Sequence, residues 1–265
     1  MVVDCHTHIK DAGDDAEVSG HLAAAETVDK CFVLPLPGAS SALINNNLSG
    51  YVCSYADRMV GFAFVDPTRD GTGTDDLSSA TARLGLAGAV LYCCECGFHP
   101  AHSRAMRFYE SAQQLGVPVF FHNGGRLEPR AILGYAQPFL LDEVAGQFGD
   151  LKIVIGDMGR PFIEQTFAVI AKHPNVYADL RIHPNRVWQV YNVVMAAHER
   201  GVMDKLLFGS GFPAGSPGAC MEALLGFNKL MADTSLPTVP RGSIRNIIER
   251  DTLEVLGLKG KPADA

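Results

Sequence analysis

Three histidines carry the strongest chemical signal in the chain. His6 and His8 stand two apart in Val3-Asp4-Cys5-His6-Thr7-His8. Residues two apart on a strand point to one face, so both imidazoles can be aimed at one place. Two neutral imidazoles meeting at a point suit a divalent metal such as zinc. Two polar residues at a strand end are the plain alternative. His122 closes the apolar run Val119-Phe120-Phe121 and is followed by Gly124-Gly125, glycines that let the backbone turn sharply and approach a ligand. Three imidazoles can hold one metal and leave a fourth position open for water or substrate. A hydrogen-bonded histidine at a rim is the competing reading of His122.

Charged residues follow other apolar runs. Asp157 comes directly after Ile153-Val154-Ile155-Gly156. It can serve as a further ligand or as a general base, or it can pair with Arg160 or Arg181 and shape a loop. Arg126, Arg160 and Arg181 each follow a separate run, and arginine presents paired donors to a carboxylate. They point to a small anionic ligand, with surface ion pairs as the alternative. Asp66 and Asp179 also close runs. Asp66 reads as a cap for the loop that follows, and the same reading is open for Asp179. Cys93-Cys94-Glu95-Cys96 invites a zinc or redox reading, but no second cysteine pair stands at zinc-site spacing. These thiols read as reduced and lining a loop.

The elements that would position these groups alternate along the whole chain. Strands are expected near 2–6, 31–35, 59–65, 87–92, 117–122, 151–156, 176–180 and 205–209. Most are continuous apolar runs, which suits parallel strands buried on both faces. Amphipathic segments separate them: a helix capped by Thr74, one capped by Ser103 and stopped by Gly116, one opened by Pro161, and one from Val187 to before Gly201. Further helices are expected near 17–26, 41–56, 219–231 and 243–256. Eight strand-helix units predict an α/β fold of the (β/α)₈ barrel type, as one domain over 1–258 with a loose tail at 259–265. No Gly-x-Gly-x-x-Gly follows the first strand, which speaks against a dinucleotide-binding open sheet.

The 265 residues carry 22 Lys+Arg against 29 Asp+Glu, a net charge of −7. With no basic stripe, the chain is a poor partner for nucleic acid. No apolar run approaches a membrane span. The first residues show no signal-peptide pattern, so the seven cysteines are expected as reduced thiols in the cytoplasm. The oligomeric state stays open, a homo-oligomer included.

Val3-Asp4-Cys5-His6-Thr7-His8, Gly97-Phe98-His99-Pro100, Pro118 to His122, Lys152 to Gly159 and Leu207-Phe208-Gly209-Ser210-Gly211-Phe212-Pro213 occur in this order. Together they resemble the amidohydrolase-related branch of the metal-dependent amidohydrolase superfamily, which includes decarboxylases of unsaturated and aromatic acids and some lactone hydrolases. The resemblance implies a distorted barrel with His6, His8 and His122 as metal ligands. It also exposes two departures. The sixth strand usually ends in His, where this chain has Asp157. The eighth usually carries a metal-binding Asp, where this chain has Gly211. A missing carboxylate predicts a single, weakly held metal, with zinc expected. The implied activity is hydrolysis or decarboxylation of a small carboxylated molecule, with Asp157 as the catalytic carboxylate and Arg160, Arg181 and Arg126 binding substrate. The two departures favour the alternative of a family member that binds a small molecule without turnover.

Overall fold

A computed structural model describes residues 1–69, 74–122 and 129–259. Eight parallel strands run in sequence order around a barrel. They are β1 (Val3–Thr7), β2 (Lys30–Val33), β3 (Met59–Phe64), β4 (Gly88–Leu91), β5 (Val119–Phe121), β6 (Ile153–Ile155), β7 (Val176–Asp179) and β8 (Leu206–Leu207). β8 is shorter than its apolar run predicts. The seam to β1 is finished by loop backbone: Cys5 N–H donates to Phe208 O and His8 N–H to Phe212 O, both at 2.9 Å, and Gly211 N–H donates to His6 O at 2.8 Å.

Alternation along the strands divides the core in two. Val3, Cys5, Phe32, Leu34, Phe62, Phe64, Val90, Tyr92, Phe120, Val154 and Leu207 fill the barrel interior as one cluster. The intervening positions, such as Val33, Ala63, Leu91, Phe121 and Ile155, pack outward in a second cluster that includes the helices. Both faces of most strands are therefore apolar, with the buried polar Asp4, His6 and Thr7 of β1 as the exception, which is why the sequence shows runs where a half-exposed sheet would show alternation.

The helices are α1 (Asp15–Ala24), α2 (Ser41–Ser54), α3 (Thr74–Leu84), α4 (Cys93–Cys96), α5 (Ser103–Gln114), α6 (Leu141–Gln147), α7 (Ile163–Lys172), α8 (Val187–Glu199), α9 (Pro217–Leu230), α10 (Arg241–Ile248) and α11 (Thr252–Val255). Several ends differ from the sequence expectation. His102, not Ser103, caps α5, its ring accepting from Arg104 N–H at 3.2 Å. Pro161 lies before the first turn of α7. The segment expected as one helix over 243–256 divides into α10 and α11, with Asp251 capping the second through Glu254 N–H. No helix among the described residues is long and apolar enough to cross a membrane.

One polar strut ties α1 and α2 to β1. Thr7 Oγ1 donates to Phe32 O at 2.6 Å, so it accepts from His21 Nε2 at 2.8 Å. His21 Nδ1 then accepts from the Tyr51 hydroxyl at 2.6 Å. Burial lowers the His21 pKa from 6.5 to about 4, and Arg58 adds to the effect. An unfolded chain takes up a proton on this group below about pH 6.5 while the native one stays neutral. Stability is therefore undiminished above pH 6.5 and falls as the pH drops toward 4, by roughly 3 kcal/mol for this group at about 1.4 kcal/mol per pH unit. Asp4 and His8 also titrate differently in the folded and unfolded chain over this range, so the test is a difference: in urea titrations from pH 7 to 4, His21→Gln should remove about that much of the unaltered chain's change in stability. An unchanged slope in the variant would show that His21 does not carry the acid sensitivity.

Candidate metal centre

β1 ends with a break in its phase. Val3 and Cys5 point into the barrel, which would send Thr7 inward and His6 outward. The register against β2 shifts between Asp4 and Thr7, and a bulge of this kind re-aims side chains. Thr7 turns out to the His21 strut, while His6 and His8 both turn in. Asp4 holds the irregular stretch: its Oδ1 accepts from His6 N–H at 3.1 Å and from Ser210 N–H at 2.9 Å. Burial raises the Asp4 pKa to about 6, with the hydrogen bonds from Ser210 and His6 opposing it.

His122 arrives from the other side. It lies two residues beyond the inward-facing Phe120 and keeps that direction. Its ring centroid is 4.6 Å from that of His6 and 5.0 Å from that of His8, and the His6 and His8 centroids are 4.9 Å apart. The His6 Nε2 atom sits 3.0 Å from His8 Nε2 and 2.8 Å from His122 Nε2. All three potential ligand atoms lie within 4.8 Å of one another, and all three residues are buried. This is the one cluster of its kind among the described residues.

The protons in this cluster can be placed from the partners. His8 Nδ1 is 2.7 Å from Leu34 O. A carbonyl only accepts, so this nitrogen carries the hydrogen. His6 Nδ1 is 2.9 Å from Asp179 Oδ1, and an ionised carboxylate likewise only accepts. In the neutral rings both Nε2 atoms are then bare lone pairs facing each other. Protonation does not relieve this at His8, whose pKa burial lowers to about 3, with His6 and Arg181 adding to the shift and the Leu34 bond opposing it. A cation between the lone pairs does relieve it. The donor set suits a divalent metal by its chemistry: three buried imidazole nitrogens converge, two of them 2.8 and 3.0 Å from the third and all within 4.8 Å of one another, so that ring shifts of a few tenths of an ångström would bring them to the ~2.0–2.1 Å of a zinc–nitrogen bond.

Asp179, for which the sequence leaves the capping reading open, stands against the cluster. Beyond its bond to His6, its Oδ1 accepts from Arg181 N–H at 2.9 Å and its Oδ2 from Asp157 N–H at 2.7 Å. It is fully buried at the end of β7. One carboxylate thus fixes the His6 tautomer and the start of two loops. Tyr92 was also unforeseen. It occupies the inward position at the end of β4, donates its hydroxyl to Pro35 O at 2.8 Å, and packs its ring 5.1 Å from His122. Asp66 does cap its loop, accepting from Thr68 N–H and Oγ1. All seven cysteines are free, including Cys93, Cys94 and Cys96.

The charged residues form a clamp of their own. Asp157 and Met158 both adopt left-handed backbone, at φ 49° and 52°, a conformation that costs energy for residues with a side chain. Asp157 Oδ1 is bound by Arg160 Nη1, and its Oδ2 lies 3.2 Å from Arg181 Nη1. Arg160 and Arg181 are thus brought together on one carboxylate. Arg126 lies outside the described residues. Gly211 has φ +67°, and a Cβ added there would meet Arg181 Cδ at 2.9 Å, Cγ at 2.7 Å and Nε closer still. Arg181 fills the space that a side chain at this position would use. Gly211→Asp alone is therefore not a simple restoration of a metal ligand.

The Asp179 bond makes a measurable demand. Asp179→Asn keeps the shape but loses the charge that holds the His6 proton on Nδ1. Loss of such a partner typically costs 10–100-fold in metal affinity. Equilibrium dialysis against Zn²⁺ should show a fall in that range, and unchanged affinity would leave Asp179 as a loop cap only.

The fold has close counterparts among solved structures. A probable 2-pyrone-4,6-dicarboxylic acid hydrolase from Acinetobacter baumannii, with citric acid bound, superposes with a TM-score of 0.71 at 14% identity, covering 97% of this chain and 99% of that one. A 5-carboxyvanillate decarboxylase from Novosphingobium aromaticivorans, with bound manganese and 3-methoxy-4-hydroxy-5-nitrobenzoic acid, gives 0.65 at 10% identity, covering 97% of each chain. A 2,6-dihydroxybenzoate decarboxylase from Rhizobium gives 0.63 at 16% identity, covering 98% and 99%. At these identities the likeness is one of fold. No curated protein matches the sequence. The sequence profile of the amidohydrolase family matches residues 3–233. The chain belongs to the amidohydrolase family.

Proposed function

We propose that the protein is a metal-dependent enzyme that hydrolyses or decarboxylates a small carboxylated molecule at a mononuclear site. The observation that carries this reading is that the Nε2 atoms of His6 and His8 face each other at 3.0 Å while the Nδ1 atom of each lies against an acceptor oxygen. His6, His8 and His122 hold the ion. Three imidazoles suit zinc, and the manganese in the carboxyvanillate decarboxylase makes Mn²⁺ the second ion to test. When bound, such an ion supplies Lewis-acid activation of water or of a substrate oxygen. The free thiols suit a reducing cytoplasm.

The residues around the ion divide the remaining work. Arg181 and Arg160, joined by Asp157, receive the substrate carboxylate, a role we extend to Arg126. A carboxylate arriving at Arg181 competes with Asp157 Oδ2 for the same Nη1. Asp157 is then left with an oxygen free to accept a proton, while Arg160 keeps it oriented. A second reading, binding without turnover, is favoured by one observation: a guanidinium stands where the family's eighth-strand carboxylate would be.

Turnover assays with Zn²⁺ or Mn²⁺ on a panel of lactone carboxylates and aromatic acids separate the two. On a substrate so found, Asp157→Asn should lower kcat by at least the roughly 10²-fold expected for loss of a general base. Near-normal turnover in that variant would make Asp157 a structural partner of the arginines. Binding of a small carboxylate with no turnover under either metal would establish the second reading.

A further inference from the structure

The three imidazoles reach the centre from two strand ends that are not neighbours. His6 and His8 stand at the end of β1 and His122 at the end of β5, with β2, β3 and β4 between them. A ring at a strand end can still turn about its side-chain torsions, and the outer torsion of an imidazole is a broad one. His122 must be set against His8 if both are to meet one ion. The end of β4 makes contacts toward each of them.

Toward β5, Leu91 O accepts from His122 N–H at 2.9 Å. The ring of Tyr92, the next residue, packs 5.1 Å from the His122 ring at 43°. Toward β1, Tyr92 reaches past β3, where its ring lies 6.0 Å from that of Phe64, and donates its hydroxyl to Pro35 O at 2.8 Å. Pro35 follows Leu34 just beyond β2. Leu34 O takes the Nδ1 hydrogen of His8 at 2.7 Å, and Leu34 N–H donates to Thr7 O at 2.9 Å. One series of contacts thus runs from His8 through Leu34, Pro35 and Tyr92 to His122, and Tyr92 is the link that spans β2 to β4.

Tyr92 is fully buried in the interior cluster. A phenylalanine would fill nearly the same volume with no polar atom to satisfy. A buried phenol needs a partner, and this one takes the carbonyl next to the one that orients His8. Burial, with Glu95 and Cys96 adding to it, holds the Tyr92 pKa well above its ordinary value. The hydroxyl therefore keeps its proton and remains a donor to Pro35 O.

We propose that Tyr92 is a positioning residue of the metal centre: its hydroxyl on Pro35 O and its ring on His122 hold the third imidazole in register with His8 before an ion binds. This rests on His6, His8 and His122 being the metal ligands. A ring held in place loses less freedom when the ion arrives, so the brace contributes both to affinity and to the geometry of the bound ion.

Zn²⁺ affinity of the full chain, measured by competition with a chromophoric chelator, tests this, with a parallel titration of Co²⁺, whose visible absorption reports coordination geometry. Tyr92→Phe removes only the hydroxyl. It should weaken Zn²⁺ by about tenfold, the low end of the roughly 10–100-fold lost with a supporting partner, and should alter the Co²⁺ absorption. Tyr92→Leu removes the ring as well and should weaken Zn²⁺ further. Val154→Ala, a truncation in the same interior cluster, is the control for lost stability and should leave Zn²⁺ affinity and the Co²⁺ spectrum unchanged. Unaltered affinity and spectrum in Tyr92→Phe would overturn the positioning role and leave the metal centre standing. An equal loss in Val154→Ala would also overturn it, leaving Tyr92 as a core side chain. An unaltered chain that binds neither ion would overturn the metal centre and the positioning role together.

Discussion

Two hydrogen bonds on the outer sides of two imidazoles set everything else in this site. Asp179 takes the Nδ1 hydrogen of His6, and Leu34 O takes that of His8. Each bond forces the bare lone pair to the opposite nitrogen. The two rings are held on one strand end by the register shift in β1, with Asp4 binding the backbone of His6 and of Ser210. The fold therefore maintains two buried lone pairs in contact, an arrangement whose electrostatic cost a cation removes. His122 contributes the third nitrogen from β5, across the barrel mouth.

Around that centre the charges depart from what the resemblance predicts. The eighth strand loses its carboxylate at Gly211, and Arg181 from the loop after β7 moves into the space. The sixth-strand position carries Asp157, held on left-handed backbone and gripped by Arg160 and Arg181. The two departures are therefore one rearrangement. Removing a side chain at Gly211 makes room for Arg181, and Arg181 in turn needs the carboxylate that Asp157 provides. Relative to what the resemblance predicts, a protein cation stands where a protein anion is expected.

Much of this was legible in the residues. The barrel could be read because strands buried on both faces leave continuous apolar runs, such as Ile153-Val154-Ile155, and because several runs close on a polar residue, as at His122, Asp157 and Asp179. His6, His8 and His122 could be read because two of them share strand parity and the third follows Phe120 by the same spacing. The bulge could not be read: simple alternation from Val3 and Cys5 would turn His6 outward, and nothing local in Asp4-Cys5-His6-Thr7-His8 announces the phase break. Asp179 was equally silent, because a strand-closing aspartate that caps a loop and one that orients a ligand look alike until the partner strand is known. The filling of the Gly211 space by Arg181 is a contact between residues thirty positions apart, beyond any motif.

On the function proposed above, His6 and His8 are kept in this arrangement to hold a metal. Elemental analysis of the protein purified without added metal or chelator, beside His8→Ala prepared identically, tests it most directly. The unaltered protein should contain a divalent first-row transition metal, or take one up on addition of Zn²⁺ or Mn²⁺, and His8→Ala should lose it. A chain that takes up no metal under any of these conditions, or a variant that retains it undiminished, would contradict it.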